Sequence, residues 1–339
     1  MIANEQQLED ILSEPSAADI DAARLLEGPL LILGAAGKMG PSLAHLAKRA
    51  LDAAGNPARV IAVSRFSNPD SRALLGSWGI DTIPCDMLEP GALDQLPDAP
   101  NVIFMAARKF GSSGLPSLTW ATNTLLPGLA AQRYRRSRIV AFSTGNVYPL
   151  TPVDSGGPTE ETPTSPIGEY AQSALGRERL FEHAALTWQT PVSLLRLNYA
   201  VELRYGVLVD IARKVHAGTP VDLTMGHVNV IWQGDANSAT LRALALAATP
   251  AFVLNLTGAE TLRVRDIADG FARRFDNQAM LQGAEAPTAL LNNAALYHRL
   301  LGPPRVSVDQ MMDWIAGWIT QGGASLGKPT HFENREGKF

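Results

Sequence analysis

An α/β fold with a doubly wound parallel sheet and a smaller C-terminal substrate lobe is predicted by three features of this sequence. Short, unbroken apolar runs alternate with longer amphipathic stretches from Pro29 to about residue 197. The first apolar run gives way to a glycine-rich segment, Gly34-Ala35-Ala36-Gly37-Lys38-Met39-Gly40. Beyond residue 197 the strict alternation weakens and helical patterns take over.

Residues 1–28 read as an N-terminal helical extension of two short helices separated by Pro15. Leu8, Ile11 and Leu12 mark the apolar face of one, and Ile20, Ala23 and Leu26 that of the other. Such faces favour packing against the body of the protein over a free binding arm. Apolar runs at 30–33, 60–63, 102–105, 139–142 and 192–197 read as strands, because a parallel strand is covered on both faces and shows no polar alternation. The stretches 39–54, 115–135 and 169–186 carry the amphipathic period of crossover helices. Residues 29–197 therefore form a Rossmann-type dinucleotide-binding domain.

Residues 198–321 read mainly as the substrate lobe, helical at 207–216, 236–248, 264–275, 288–301 and 308–319. The strand-like run 252–256 is expected to return to the main sheet. The last segment, 322–339, is rich in glycine and charge without periodicity and reads as a surface tail. Its Lys328-Pro329-Thr330-His331-Phe332 run fits either a cover over the substrate or ordered surface.

Composition narrows the function. The 339 residues are 46% hydrophobic and 18% charged with a formal net charge of -4, an enzyme-like balance with no basic footprint for nucleic acid. Cys85 is the single cysteine, which excludes an intrachain disulfide and a thiolate cluster and suits a reducing cytoplasm. The polar, acidic start from Met1 to Asp10 does not read as a secretory signal, and Arg242 and Pro250 interrupt the apolar stretch 239–254. Membrane insertion is not expected. The six histidines lack metal-ligand spacing, so no metal site is assigned.

Glycines between a strand and a helix permit a tight turn, let backbone N–H groups approach a pyrophosphate and allow close helix–strand packing. Gly34, Gly37, Lys38, Met39 and Gly40 are accordingly cofactor-binding candidates. At the end of the second strand a carboxylate would hold an adenosine ribose, whereas arginine pairs with a 2′-phosphate. This chain has Ser64-Arg65, which favours NADP, with NAD as the alternative.

The Gly-x-x-Gly-x-x-Gly spacing resembles that of the extended short-chain dehydrogenase/reductase family, the NAD-dependent epimerase/dehydratase group. Its loop also resembles that of dihydrodipicolinate reductase, but that likeness ends at residue 40. The short-chain likeness continues along about residues 29 to 275. Asp86 falls where the family contacts adenine, Ala106-Ala107 follows the fourth strand, and Asn123 matches an asparagine of the next helix. Ser143-Thr144-Gly145-Asn146-Val147-Tyr148 resembles the family's motif after the fifth strand, and Tyr170 stands at the position of its catalytic tyrosine. The resemblance implies that Thr144 holds a substrate oxygen and Tyr170 transfers its proton as hydride moves to or from the nicotinamide.

One departure matters. A tyrosine titrates near ~10 and needs a neighbouring cation to ionise usefully. The family supplies a lysine four residues on, yet here that residue is Ala174. Lys109, in the loop after the fourth strand, is the candidate replacement; the competing reading is an exposed loop charge. Gly145 and Asn146 stand where sugar dehydratases carry an acidic pair, which argues against water loss. The segment 196–202 lacks the family's Asn-x-Tyr-Gly arrangement, which weakens the case for sugar-nucleotide recognition.

The expected function is an NAD(P)-dependent oxidoreductase or epimerase acting on a small polar, sugar-derived carbonyl or alcohol. The alternative is a non-catalytic nucleotide sensor or scaffold that lost the lysine. By analogy with the family, a homodimer is expected through the helices at 115–135 and 169–186.

Overall fold

The structure, a computed structural model, describes residues 2–338. Seven strands make one sheet: β1 (Leu30–Leu33), β2 (Val60–Ser64), β3 (Asp81–Pro84), β4 (Asn101–Phe104), β5 (Arg138–Thr144), β6 (Val192–Leu197) and β7 (Phe252–Leu256). Their spatial order is β3-β2-β1-β4-β5-β6-β7, and every pairing is parallel. All carboxyl ends therefore open on one edge. The order reverses between β1 and β4, the crevice where ligands of such sheets bind.

The unbroken apolar character of β1 has a direct cause. Leu30 and Ile32 pack towards Leu43, Ala47 and Leu51 of the helix Gly40–Ala54. Leu31 and Leu33 pack on the opposite face with Leu126 and Ala130 of the helix Leu126–Arg133 and with Phe181 of the helix Gly168–Trp188. Both faces of the strand are covered, so neither carries polar residues.

The helix expected at 115–135 is instead three pieces, Pro116–Trp120, a π turn at Ala121–Leu125, and Leu126–Arg133. Pro127 explains the break, since it has no N–H to donate to the carbonyl of Asn123 one turn back. That carbonyl accepts from Arg177 Nε at 3.3 Å.

A second core lies beyond β6. Leu208, Ile211 and Val215 from the helix Val207–His216 meet Ile267 and Phe271 from Val264–Arg274, and Met311, Ile315 and Trp318 from Val308–Thr320. Leu8 and Leu12 of the first helix, Glu5–Leu12, are buried in the same core. The second helix, Ala17–Arg24, begins with a Ser16/Asp19 capping box, and its Ala23 packs on the β1 side of the sheet. No helix among the described residues is long and apolar enough to cross a membrane.

One further segment departs from the sequence-based expectation. The helix read at 288–301 covers only Ala295–Leu301, while Thr288–Ala289 pairs with Thr151–Pro152 as a short antiparallel strand. Between them, asparagine side chains and backbone polar groups bond each other. Asn292 N donates to Asn229 Oδ1, and Ala295 N donates to Asn293 Oδ1. These bonds compete with the helical ladder. The tail 322–338 is exposed along most of its length and is anchored at Thr330 and Phe332, each 1% exposed.

Candidate functional site

The glycine loop leaves β1 at the crevice beside β4. Gly34 has φ +93°, and a Cβ there would sit 2.5 Å from the Ala106 backbone nitrogen. A Cβ on Gly40 would lie 2.1 Å from the Ala35 carbonyl oxygen, so this glycine is required for the helix to start against the loop. Gly37 is exposed at the loop tip and meets nothing closer than 3.4 Å. Two glycines thus serve close packing, and the third leaves the backbone open to a ligand.

A cleft of about 970 Å³ runs across this loop. Its walls include Gly34, Gly37 and Lys38, Ser64 and Arg65 after β2, Asp86 after β3, and Ala106, Ala107 and Lys109 after β4. Arg65 is exposed at the rim. Asp86 Oδ1 accepts from Leu88 N at 3.1 Å, which shapes the turn after β3. Met39 is buried behind the loop at the start of its helix.

Asn123 does not face this cleft. It is fully buried, accepts from Arg108 N at 2.8 Å, and donates to Arg108 O at 2.9 Å and Ser173 Oγ at 3.0 Å. It braces the loop after β4 from beneath, and acts on the cleft only through Arg108 and Lys109.

Tyr170 lies in the first turn of the helix Gly168–Trp188. Burial pushes its phenol above the ordinary tyrosine range, opposed by the Arg177 charge and by a hydrogen bond with Thr144. Ala174, one turn along, is 1% exposed and packs with Val147 and Tyr148. The cation therefore comes from elsewhere.

Arg177 is seven residues beyond Tyr170, two helical turns away on the same face. Its guanidinium is buried and held by Phe142 O at 2.7 Å, Asn123 Oδ1 at 3.1 Å and Asn123 O. Sequence inspection at the four-residue spacing misses it. The signal was an arginine two turns on in a helix whose other buried residues include Ala171, Ser173, Ala174, Glu178 and Phe181.

Lys109 is not an exposed loop charge. Its ammonium lies 5.9 Å from the centroid of the Tyr170 ring and 6.0 Å from that of Tyr199, and donates to Thr330 O at 3.4 Å. Burial lowers its pKa to about 8, with Asp210 opposing. Lys38 donates to Ala200 O at 2.9 Å and lies 4.2 Å from the Tyr205 ring centroid. Burial lowers it to about 7, against the pull of Glu202 and with help from Lys109.

Behind Thr144 runs a buried polar network that the sequence reading did not identify. Arg196 bonds Glu178 through two nitrogens at 2.7 and 3.0 Å, and donates to the Tyr148 hydroxyl at 2.7 Å. Tyr148 in turn donates to Asn255 Oδ1 at 2.9 Å, and Ser143 Oγ donates to Glu178. These bonds link β5, β6, β7 and the Tyr170 helix. They fix the segment from Ser143 to Tyr148 beside the phenol.

Glycine cleft, hydroxyl–phenol pair and parallel sheet together define a dinucleotide-binding enzyme architecture of the short-chain dehydrogenase/reductase type. The chain belongs to the NAD dependent epimerase/dehydratase family, whose pattern it matches over residues 30–232. No curated protein matches it in sequence. Solved structures share the fold. A UDP-glucuronic acid 4-epimerase from Bacillus cereus, in complex with NAD, is 18% identical with a TM-score of 0.72, covering 86% of this chain and 99% of that one. A UDP-glucose 4-epimerase from Thermotoga maritima, with UDP-glucose, is 16% identical with a TM-score of 0.71 over 87% and 99%. That of Thermus thermophilus, in complex with NAD, is 19% identical with a TM-score of 0.70 over 85% and 98%.

Proposed function

We propose that this protein is a nicotinamide-dependent oxidoreductase or epimerase that moves hydride to or from a small polar, sugar-derived alcohol or carbonyl. The observation that carries the reading is the Thr144–Tyr170 hydrogen bond, joined to the glycine-loop cleft by Lys109, which lines the cleft and lies 5.9 Å from the Tyr170 ring centroid. The cleft fits a dinucleotide in size and in donors, with Gly37 open at the loop and Arg65 and Asp86 at the adenosine end. The solved relatives described as NAD complexes support the same cofactor class.

The bound cofactor supplies hydride transfer. The chain's own residues do the rest. Thr144 Oγ1 orients the substrate oxygen and Tyr170 Oη accepts or donates its proton. Arg177 and Lys109 favour the phenolate that forms when the proton is taken from an alcohol. Asn123 holds the Lys109 loop in register with the tyrosine helix. Change in nicotinamide absorbance with a panel of polyols, aldoses and sugar acids tests the reading. Tight cofactor binding without turnover of any compound would instead support a sensor.

Ser64 and Arg65 favour NADP over NAD, because a guanidinium and not a carboxylate follows the end of β2, where a 2′-phosphate would lie. Arg65 is exposed, so the contact sits at the low end for a charged hydrogen bond, about 1.5 kcal/mol. Arg65→Ala should weaken NADP roughly tenfold and leave NAD unchanged in calorimetric titration. Equal affinity of the native protein for the two cofactors would refute the assignment.

A homodimer is supported by exposed Leu118, Trp120, Leu125 and Leu129 on the helices 116–133, with Leu186 on the helix Gly168–Trp188. Trp120 Nε1 donates to Glu169, joining the two helices. Large apolar side chains left exposed on these two helices suit association. Light scattering should give a dimer at micromolar concentration, and Leu125→Glu should give a monomer. A native monomer would count against these helices as an interface.

A further inference from the structure

The C-terminal segment 326–338 leaves the wall of the cofactor cleft, which Leu326 and Lys328 join, passes Lys109 and ends on the first turn of the Tyr170 helix. Leu326 N donates to Arg204 O at 3.1 Å. Thr330 donates through both its backbone N and its hydroxyl to Asp210 Oδ2, at 2.7 and 2.6 Å, while its carbonyl accepts from Lys109. Phe332 is sunk into the core of the substrate lobe. Arg335 donates to Thr288 O at 2.7 Å and to Thr288 Oγ1 at 2.6 Å.

The last anchor lies two residues from the tyrosine. Gly168 and Gly337 meet face to face, both at positive φ, +82° and +69°. A Cβ on Gly168 would fall 2.3 Å from Gly337 O, and one on Gly337 would fall 2.1 Å from Ile167 O. Only glycine on both sides allows this approach. The tail therefore closes down on the first turn of the helix that carries the proton-transfer group.

These contacts bring the tail beside the phenol, through Lys109 and through Gly168. Lys109, which lines the cofactor cleft and bonds the tail's Thr330 carbonyl, lies 5.9 Å from the Tyr170 ring centroid and 6.0 Å from that of Tyr199. A substrate whose reacting sugar is joined to a nucleoside diphosphate needs an open groove leading away from the reacting carbon. A free sugar, polyol or sugar acid does not.

We propose that segment 326–338 is a specificity element which closes the outer end of the substrate space, so that this protein acts on a small free hydroxy or oxo compound and excludes nucleotide-linked sugars. This rests on the function proposed above and specifies its substrate class.

The test uses the full chain saturated with its nicotinamide cofactor. The probes are UDP-glucose and UDP-glucuronic acid on one side, and free aldoses, polyols and aldonic acids on the other. The intact chain is expected to show no saturable binding of either UDP-sugar in calorimetry and no cofactor redox change with them. Saturable binding or turnover of a UDP-sugar overturns the proposal.

Gly337→Ala loosens the tail without removing Phe332 from the core. It should lower kcat/KM for the free substrate about tenfold or more while cofactor affinity stays within about twofold. Unchanged kcat/KM in Gly337→Ala overturns the proposal, even where a chain ending at Ser325 fails to fold. Failure of the native chain to bind any nicotinamide cofactor would contradict the broader function instead.

Discussion

Tyr170→Phe is expected to lower turnover on the order of 10² to 10⁴-fold while leaving cofactor affinity nearly intact, on the proposal that the phenol transfers the proton and the glycine loop holds the dinucleotide. The pH profile carries more information than the loss itself. Burial raises the Tyr170 pKa above that of free tyrosine, so the phenol is neutral at pH 7. In the direction of alcohol oxidation the active form is the phenolate. The rate should therefore climb as pH rises towards the folded pKa, with no plateau near neutrality. In the direction of carbonyl reduction the neutral phenol is the donor, and the rate should stay flat through the same range.

The groups facing Tyr170 determine how far that limb can be moved. Thr144 and Arg177 pull the pKa down, and Tyr199 and Tyr205 lie in the same cluster. Lys109 stands over the ring and loses its charge around pH 8, so its help fades as the phenolate forms. Lys109→Ala should shift the limb to higher pH and damage turnover more than cofactor binding. Ala174→Lys restores an ammonium one turn from the phenol and should move the limb towards neutrality. A limb that stays put in both variants would show that proton transfer does not pass through Tyr170.

Glu178→Ala should be the most destabilising single change among the groups behind the site. Glu178 is fully buried, and its removal strands the Arg196 guanidinium, itself 4% exposed, without its counter-charge. Breaking one half of such a pair costs about 3–5 kcal/mol. Ser143 Oγ would lose its acceptor as well. The loss should appear as a lower urea midpoint. Replacing both partners, Glu178→Met with Arg196→Met, should cost less than the sum of the two single changes, because no buried charge is left behind. Additive losses would mean that the pair contributes nothing as a pair. Turnover should fall in the single variant even where the chain stays folded, since Ser143 adjoins Thr144.

Sequence alone determined the elements whose physics is local. Runs such as Leu30–Leu33 must be strands covered on both faces, and Gly34, Gly37 and Gly40 must form a turn between strand and helix. Motif positions extended this to Thr144 and Tyr170, because a fixed spacing along one strand and one helix carries the pair with it. Ala174 was equally legible as an absence. The tertiary structure decided what fills that absence. Arg177 is held near the phenol by Phe142 O of β5 and by the side chain and carbonyl of Asn123, groups that other elements of the fold supply. Lys109 turns inward because Asn123 holds its loop and Thr330 waits more than two hundred residues along the chain. The tail shows no periodicity, since it is held by single hydrogen bonds, one phenylalanine and a glycine–glycine contact rather than by a repeating face. Interactions of that kind leave no pattern in a sequence, because each partner is chosen by proximity in the folded chain.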